Sequence, residues 1–330
     1  MASLSSSPPT GFSVSNFFTV SVLVGTLSTA VRFAVPYLLA ALGETIGQRS
    51  GVLNLGVDGV MLLGGFGAYY AVLETDSHLF GIAVGLAVGL FMGVVYACVT
   101  VFLDAEQGIS GIGIFLFGLG FSDLLFQELV GTPLPIRPLP RLDQLSAVGA
   151  WFEPLVDIDV IGPLLFDHDL LTYLAFALVP AAWWLLTKTT FGMNIRAVGE
   201  NPQAADSLGV SVARTRFIAI LIGNAMAGLA GAALALQLAI FQHNLTNGIG
   251  FIAVALVYFG AWRPRWVMAG ALLYGIVTAT RIRWQSLGII PQGASDVAAM
   301  APALITILAL VLLARRVRGP AALTRPFSRH

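Results

Sequence analysis

Polar side chains that could handle a solute are concentrated between residues 43 and 59. Glu44, Asn54 and Asp58 supply hydrogen-bonding groups in this stretch. We expect its glycines, at positions 43, 47, 51, 56 and 59, to interrupt the two apolar spans that flank it. Exposing such polar groups to the hydrocarbon core of a bilayer is energetically costly. They must therefore line a cavity, pair with each other or reach the membrane interface. Broken helices commonly bind the solute in transporters, because their free backbone groups can form hydrogen bonds. We therefore expect these three residues to line a translocation pathway.

A structural role is the alternative for the same residues. Glu44 and Arg49 could form an ion pair at the interface, and Asn54 could cap the following helix, as asparagine often does. Both interpretations stay open for the charged pair. For Asn54 the surrounding glycines favour the pathway.

A second polar stretch, the fourteen residues from Arg196 to Gly209, separates two long apolar runs. Asn201 is a favourable N-cap, Pro202 suits the first helical position and Gly209 can end a helix, so we expect a two-turn helix over 202–208. A helix of this length is marginal alone. We predict that it lies at the cytoplasmic surface and docks on a partner protein.

The remaining reactive residues show no catalytic or metal-binding pattern. Lys188 is the only lysine and follows Thr187 rather than glycine, which excludes a phosphate-binding loop of the Walker type. Cys98 is the only cysteine, which excludes an intramolecular disulfide and a cysteine metal cluster. The four histidines lie far apart, at positions 78, 168, 243 and 330. We expect no enzymatic activity, no cofactor and no metal site.

Composition indicates which elements position these groups. The chain is 57% hydrophobic and 10% charged, with 36 glycines and a mean hydropathy of +0.86, which is typical of a polytopic helical membrane protein. A soluble domain is excluded. The formal net charge is zero, so no overall basic field points to nucleic acid.

Hydrophobic runs predict an all-α bundle with about nine transmembrane spans. They are placed near 19–42, 55–73, 79–102, 108–129, 170–187, 214–238, 249–262, 266–280 and 297–314. The seventh run is shorter than the roughly 20 residues needed to cross a bilayer, so it must be tilted, broken or extended. The division is an N-terminal tail (1–18), a transmembrane domain (19–314) with an external loop (130–169) and a cytoplasmic segment (188–213), and a basic tail (315–330).

Basic residues predict the orientation. If the short polar helix is cytoplasmic, most arginines share its side, and only Arg137, Arg141, Arg281 and Arg283 face outward. The positive-inside rule then places the C-terminus in the cytoplasm, and nine spans place the N-terminus outside. The acidic loop 130–169 becomes external, either as a landing surface for a partner or as a solvated loop.

Small residues predict where helices touch. Glycines recur every fourth residue from Gly81 to Gly93 in the third span, and a similar stripe of small residues runs from Gly223 to Ala232 in the sixth. Such stripes allow close backbone approach. We expect tight helix packing there, either within one subunit or between subunits.

Three motifs carry a resemblance to a known family. GETIGQRSGVLNLGVDGVMLLGG, RAVGENPQAADSLGV and GIGFIAVALVYFGAWRP appear in this order, and the similarity extends from about residue 30 to residue 315. The chain resembles permease subunits of bacterial and archaeal ABC importers in the ribose and branched-chain amino acid permease superfamily. The branch it most resembles imports nucleosides or simple sugars. It departs from that branch in a longer, more acidic external loop and in Asp58, where glutamate is more familiar.

The resemblance implies a function, partners and a coupling site. The short helix would be the coupling helix, which sits in a groove of a separate ATP-binding subunit. The residues in matching positions are Gly199, Glu200, Asn201, Pro202, Ala205 and Gly209. Further implied partners are a second permease subunit, homologous or identical, and an extracytoplasmic solute-binding protein. The chain would be a multi-pass protein of the cell membrane.

The alternative function is a secondary transporter of polar solutes that is driven by an ion gradient. Such a protein would need acidic residues near the bilayer midplane. Asp123 and Glu128 are the candidates, but both lie toward the outer end of the fourth predicted span.

Overall fold

The computed structural model describes residues 20–141, 160–286 and 318–327, together with the single positions 144, 156, 158, 300, 304 and 308. Within this part of the chain every regular element is helical, apart from an isolated bridge between Arg141 and Asp169. The tail 1–18, most of the ninth predicted span and much of the external loop lie outside the described residues. The proposed division of the chain into tails and a transmembrane domain therefore stays a prediction.

Ten α-helices follow one another along the described chain, with short π-helical segments at Cys98–Phe102 and Gly162–Phe166. They are α1 (Val20–Arg49), α2 (Val57–Thr75), α3 (His78–Ala97), α4 (Gln107–Leu129), α5 (Leu170–Lys188), α6 (Thr190–Glu200), α7 (Pro202–Ser207), α8 (Val212–Leu238), α9 (Ile249–Phe259) and α10 (Pro264–Ser286).

The helical membrane fold is confirmed, but the count of nine spans is not. In the described ranges five helices are long and apolar enough to cross a membrane, namely α1, α3 with its π-helical extension, α4, α5 and α8. Helix α9 has 11 residues and extends only about 16 Å, roughly half the thickness of a hydrocarbon core.

Helix α8 forms the centre of the bundle and packs against α1, α2 and α3. Its glycines make this possible, because a Cβ atom at Gly228 would collide with the Gly85 carbonyl oxygen and one at Gly231 with the Met61 carbonyl oxygen. The predicted small-residue stripes of the third and sixth spans therefore serve packing within the subunit.

The connection between α1 and α2 begins later than the sequence suggests. The prediction that Gly43 and Gly47 interrupt the first span is wrong, since α1 continues through both to Arg49. Gly43 instead faces Gly223 of α8, where an added Cβ would collide with the Gly223 carbonyl oxygen. The chain turns at Gly51, whose φ is +90°, and residues 50–56 then run non-helically to α2.

A second non-helical segment, residues 239–248, connects α8 to α9. It begins at Ala239 with a left-handed backbone, and its Phe241 is buried against Phe66, Tyr69 and Phe126. This segment re-enters the bundle, so α9 starts in the interior. The seventh predicted span is thus a short helix preceded by non-helical chain.

Candidate functional site

Asn54 links the 50–56 connection to the central helix. Its side-chain Nδ2 donates a hydrogen bond to Asn224 Oδ1 (3.1 Å), and its Oδ1 accepts one from the Gly56 backbone N–H (2.8 Å). Asn224 Nδ2 in turn donates to the Ile220 carbonyl oxygen (2.9 Å). Both asparagines are buried. The amide of Asn54 therefore closes the turn ahead of α2 and also bonds to α8.

Asp58 links the first turn of α2 to the interior start of α9. The side chain is 1% exposed. Its Oδ1 accepts a hydrogen bond from the Gly250 N–H (2.7 Å), and its Oδ2 accepts one from Thr246 Oγ1 (2.8 Å). The positive end of a helix dipole stabilises a carboxylate in this position. Asp58 thus caps a helix that lies nearly two hundred residues away in sequence.

Glu44 is buried in α1, where it accepts a hydrogen bond from Gln48 Nε2 (3.1 Å). Gln48 Oε1 accepts another from Trp262 Nε1 (2.9 Å). Arg49 directs Nε and Nη2 to the Trp262 carbonyl oxygen at 3.3 and 3.2 Å. The ion pair between Glu44 and Arg49, which the sequence left open, is not formed. A buried polar network instead joins α1 to the turn after α9.

These contacts place the three predicted pathway residues in one buried region. Glu44 lies in α1, Asn54 in the following connection and Asp58 at the start of α2, and the backbone N–H of Asn54 faces the Glu44 carboxyl group. We call this region, where α1, α2, α8 and α9 meet, the polar junction. Sequence reasoning missed Asn224, which contributes the second amide.

The short helix α7 has the local structure that its sequence predicts. Asn201 Oδ1 accepts a hydrogen bond from the Ala204 N–H (3.0 Å), Pro202 occupies the first position, and the helix ends at Ser207. Gly209 follows with φ +85°, and its N–H donates to the Asp206 carbonyl oxygen (2.9 Å).

The six predicted coupling residues divide into two groups. Three pack within the chain: Pro202 and Ala205 are buried, and Gly199 lies against the Arg49 carbonyl oxygen, where a Cβ would collide. The other three, Glu200, Asn201 and Gly209, are exposed.

Sequence reasoning missed Leu208, which is 85% exposed and the most exposed of the large hydrophobic side chains described. The available signal was a single leucine directly before the glycine that ends a polar helix.

The described C-terminal segment, residues 318–327, packs beside α7. The Ala322 N–H donates to the Gly199 carbonyl oxygen (2.9 Å), and the Thr324 N–H donates to that of Gly51 (3.2 Å). Buried Arg216 holds the segment through Nη1, which donates to the Arg325 carbonyl oxygen (3.0 Å). The C-terminal segment and the short helix therefore lie at the same end of the bundle.

In the described part of the chain, neither candidate for ion coupling bonds to Glu44, Asn54, Asp58 or Asn224 of the polar junction. Asp123 pairs with His243 (2.8 Å) and accepts a hydrogen bond from Gln127 (2.9 Å). Glu128, at the end of the same helix, is exposed. Among the described residues, no group of three histidine, cysteine or acidic side chains could hold a metal ion.

Comparison with known proteins gives a consistent result. The family described as branched-chain amino acid transport system, permease component, matches residues 26–314. The chain is 37% identical to the putative glucose ABC transporter permease protein TsgC13 of Haloferax volcanii, over 82% of this chain and 80% of that protein.

Two further relatives match over nearly their whole length. The guanosine ABC transporter permease protein NupQ of Bacillus subtilis is 31% identical, over 93% of this chain and 98% of that protein. The nucleoside ABC transporter permease protein NupC of Lactococcus lactis is 30% identical, over 92% and 96%. No solved structure matches the chain.

Proposed function

We propose, since this chain belongs to the permease family of branched-chain amino acid transport systems, that it imports nucleosides or simple sugars as half of an ATP-driven translocation pathway. The family match and the relatives named as ABC permeases confirm that the chain is a transmembrane permease subunit rather than an enzyme. ATP hydrolysis is expected on a separate subunit.

The substrate class is supported by the relatives and by the chemistry of the polar junction. The names of the three relatives refer to glucose, guanosine and nucleosides, all of which carry the hydroxyl groups of a sugar. The junction offers two buried amides, Asn54 and Asn224, beside the carboxyl groups of Glu44 and Asp58. Amides can donate hydrogen bonds to hydroxyl groups and accept them from hydroxyl groups, and carboxylates can accept them. This buried polar set in an apolar bundle is the observation that carries the proposal.

In the described conformation the junction is closed by its own hydrogen bonds. Asn54 bonds to Asn224, and Asp58 bonds to Thr246 and Gly250. A solute whose hydroxyl groups bond to both of the separated partners can replace these bonds at low cost, because each hydrogen bond contributes a net of only about 1 kcal/mol. We therefore expect the pathway to open where the 50–58 segment separates from α8 and α9.

The proposed coupling mechanism depends on which residues of α7 and of its two flanks are exposed and which are buried. We propose that the exposed residues Glu200, Asn201, Leu208 and Gly209 contact the ATPase. The buried residues, Pro202 and Ala205 of α7 and Gly199 at the end of α6, would transmit the motion. Gly199 lies against the Arg49 carbonyl oxygen at the end of α1, and α1 carries Glu44 and Gln48. A displacement of α7 would thus reach the polar junction through α1.

The remaining parts of the proposal concern partners and orientation. A second permease subunit, homologous or identical, would complete the pathway, and a solute-binding protein would deliver the solute on the outer side. We place α7 and the C-terminal segment in the cytoplasm, because most arginines lie at that end. The contacts between residues 318–327 and Gly199 support a shared side for both.

The test is uptake by the reconstituted complex of this permease with its ATPase, partner permease and solute-binding protein. Radiolabelled guanosine, uridine and glucose would be offered to proteoliposomes, with ATP supplied on the side of the membrane to which the ATPase is bound. Uptake that requires ATP and persists with an ionophore is the expected result. Uptake that the ionophore abolishes and that proceeds without ATP would instead identify an ion-driven transporter.

A further inference from the structure

A cavity of about 270 Å³ opens where α1 and α5 end and α10 begins. Its charged and aromatic lining comprises Arg49, Arg196, Arg263, Arg265, Trp183 and Trp262. The volume lies below the roughly 300–1,000 Å³ of pockets that enclose a whole drug-sized ligand. The cavity therefore suits a compact charged group rather than a complete solute molecule.

The positive charge of this cavity is not balanced within the described residues. The ion pairs in that part of the chain involve Arg137, Arg141 and His243, and none includes an arginine of the cavity. Arg196 and Arg263 lie close enough to repel Arg49, and Glu200 is the nearby anion that opposes them. Four guanidinium groups facing one carboxylate leave an excess positive charge, which a bound anion would neutralise.

Two of the four arginines are available to a ligand, namely Arg263 and Arg265. The other two, Arg49 and Arg196, already donate hydrogen bonds to the carbonyl oxygens of Trp262 and Gly192. Arg263 and Arg265 are exposed, and within the described residues neither guanidinium group donates a hydrogen bond or forms an ion pair. The Arg265 guanidinium lies over the Trp266 ring at 5.7 Å. Guanidinium groups bind phosphate through two parallel N–H donors.

The surroundings of the cavity point to a lipid as the source of the anion. Trp183 and Trp184 on α5 and Trp266 on α10 each expose about half of their surface. Tryptophans concentrate at the boundary between hydrocarbon and headgroups, and basic pockets between transmembrane helices on the cytoplasmic side bind anionic lipid headgroups. The cavity combines both features at one end of the bundle.

We propose that this cavity binds the phosphate-bearing headgroup of an anionic phospholipid, with Arg263 and Arg265 as its principal phosphate ligands. The acyl chains would lie along the exposed tryptophans of α5. Pro264 also lines the cavity and begins α10, so the backbone N–H groups of that first turn add to the positive potential around the phosphate.

The test is lipid binding by the full-length protein in detergent, followed by native mass spectrometry. Phosphatidylglycerol and phosphatidylcholine would be titrated separately. We expect selective retention of phosphatidylglycerol. Because each arginine near the surface contributes about a fivefold change in affinity, Arg263→Gln with Arg265→Gln should weaken binding more than tenfold. The matched control is Arg214→Gln, an exposed arginine of α8 outside the cavity, which should leave lipid binding unchanged.

Several outcomes would overturn the proposal. One is equal retention of phosphatidylcholine, and another is binding of inorganic phosphate alone with the affinity of the lipid, which would indicate a free-phosphate site. A third is a double variant that no longer retains the ATPase in the purified complex but binds lipid as before, which would indicate a protein contact.

If the double variant does not fold, Arg265→Lys replaces it. Lysine keeps the charge but lacks the two parallel donors of arginine, so the proposal then requires the affinity for phosphatidylglycerol to fall several-fold.

Discussion

The Asp58 carboxylate accepts a hydrogen bond from the backbone N–H of Gly250, with 2.7 Å between Oδ1 and the nitrogen. This bond fixes the first turn of α2 to the first turn of α9 inside the bundle. Gly250 is needed for the approach, because a Cβ atom there would collide with the backbone nitrogen of Asp58. A residue that the sequence assigns to the pathway therefore also holds the short helix α9 in place. If Asp58 lines the pathway as proposed, opening the pathway would also release α9.

Asp58→Asn should destabilise the protein and reduce uptake. The amide has only one acceptor oxygen for the two donors, Thr246 and Gly250, so one buried donor is left unpaired at a cost of about 1–3 kcal/mol. Thermal unfolding in detergent and uptake by the reconstituted complex measure the two effects. Thr246→Ser, which keeps the hydroxyl donor, is the matched control. Unchanged melting and uptake in Asp58→Asn would show that this carboxylate is not needed.

Asn54→Ser should lower both stability and uptake. A serine hydroxyl can still close the turn to the Gly56 N–H, but it cannot reach Asn224 as the longer amide does. The buried Asn224 oxygen loses its donor, and we expect a cost of about 1–3 kcal/mol. Adding Asn224→Ala to this variant should then cost less stability than Asn224→Ala alone, which a double-mutant cycle measures.

The result that contradicts this interpretation is additivity of the two changes. Wild-type uptake kinetics in a normally assembled Asn54→Ser variant would separately restrict Asn54 to a structural role.

Leu208→Ser should weaken ATPase binding without changing the stability of the permease. The side chain is 85% exposed in the isolated chain, and its burial in a partner groove would contribute about 1.5–3 kcal/mol, at least a tenfold change in affinity. Copurification of the ATPase and solute-stimulated ATP hydrolysis are the measurements. Leu103→Ser, at another exposed leucine near the same end, is the control. Equal effects of the two substitutions would argue against a specific contact at α7.

Acidification should destabilise the protein through His168. Burial lowers the pKa of this histidine below its usual 6.5, and the ring, 2% exposed, is neutral with Nε2 donating to the Leu164 carbonyl oxygen. Below pH 6.5 the unfolded chain takes up a proton that the folded chain does not, so stability is retained above this pH and falls as the pH decreases below it.

Melting temperatures measured from pH 7.5 to 5.5 test this prediction. His168→Gln should reduce the slope, whereas His78→Gln, at a less buried histidine, should preserve it. An identical pH dependence in all three proteins would exclude His168 as the source.

Cysteine labelling tests the orientation. In a Cys98→Ala background, Thr132→Cys lies at the end of the bundle that we place outside, and Ser207→Cys lies on α7, which we place in the cytoplasm; both positions are exposed. A membrane-impermeant maleimide should label position 132 in intact cells and position 207 only after permeabilisation. The reverse pattern would invert the whole arrangement.

The sequence by itself determined the class of the protein and the structure of α7. Hydropathy excludes a soluble fold because apolar composition is independent of how the helices are arranged. The cap of Asn201 and the turn at Gly209 involve partners within three residues, so the local sequence specifies them completely. The small-residue stripes likewise predicted close helix packing, since backbone approach requires the absence of a side chain.

Only the tertiary structure decided which glycines break a helix and which permit a contact. Gly43 and Gly51 look alike in the sequence, yet Gly43 lies inside α1 against Gly223 and Gly51 forms the turn. Asp58 could not be assigned its partner, because Gly250 is 192 positions away. The buried and exposed faces of α7 depend on α1, α8 and the C-terminal segment. Such features arise from long-range packing, which fixes burial and hydrogen-bond partners and leaves no periodic signal in the sequence.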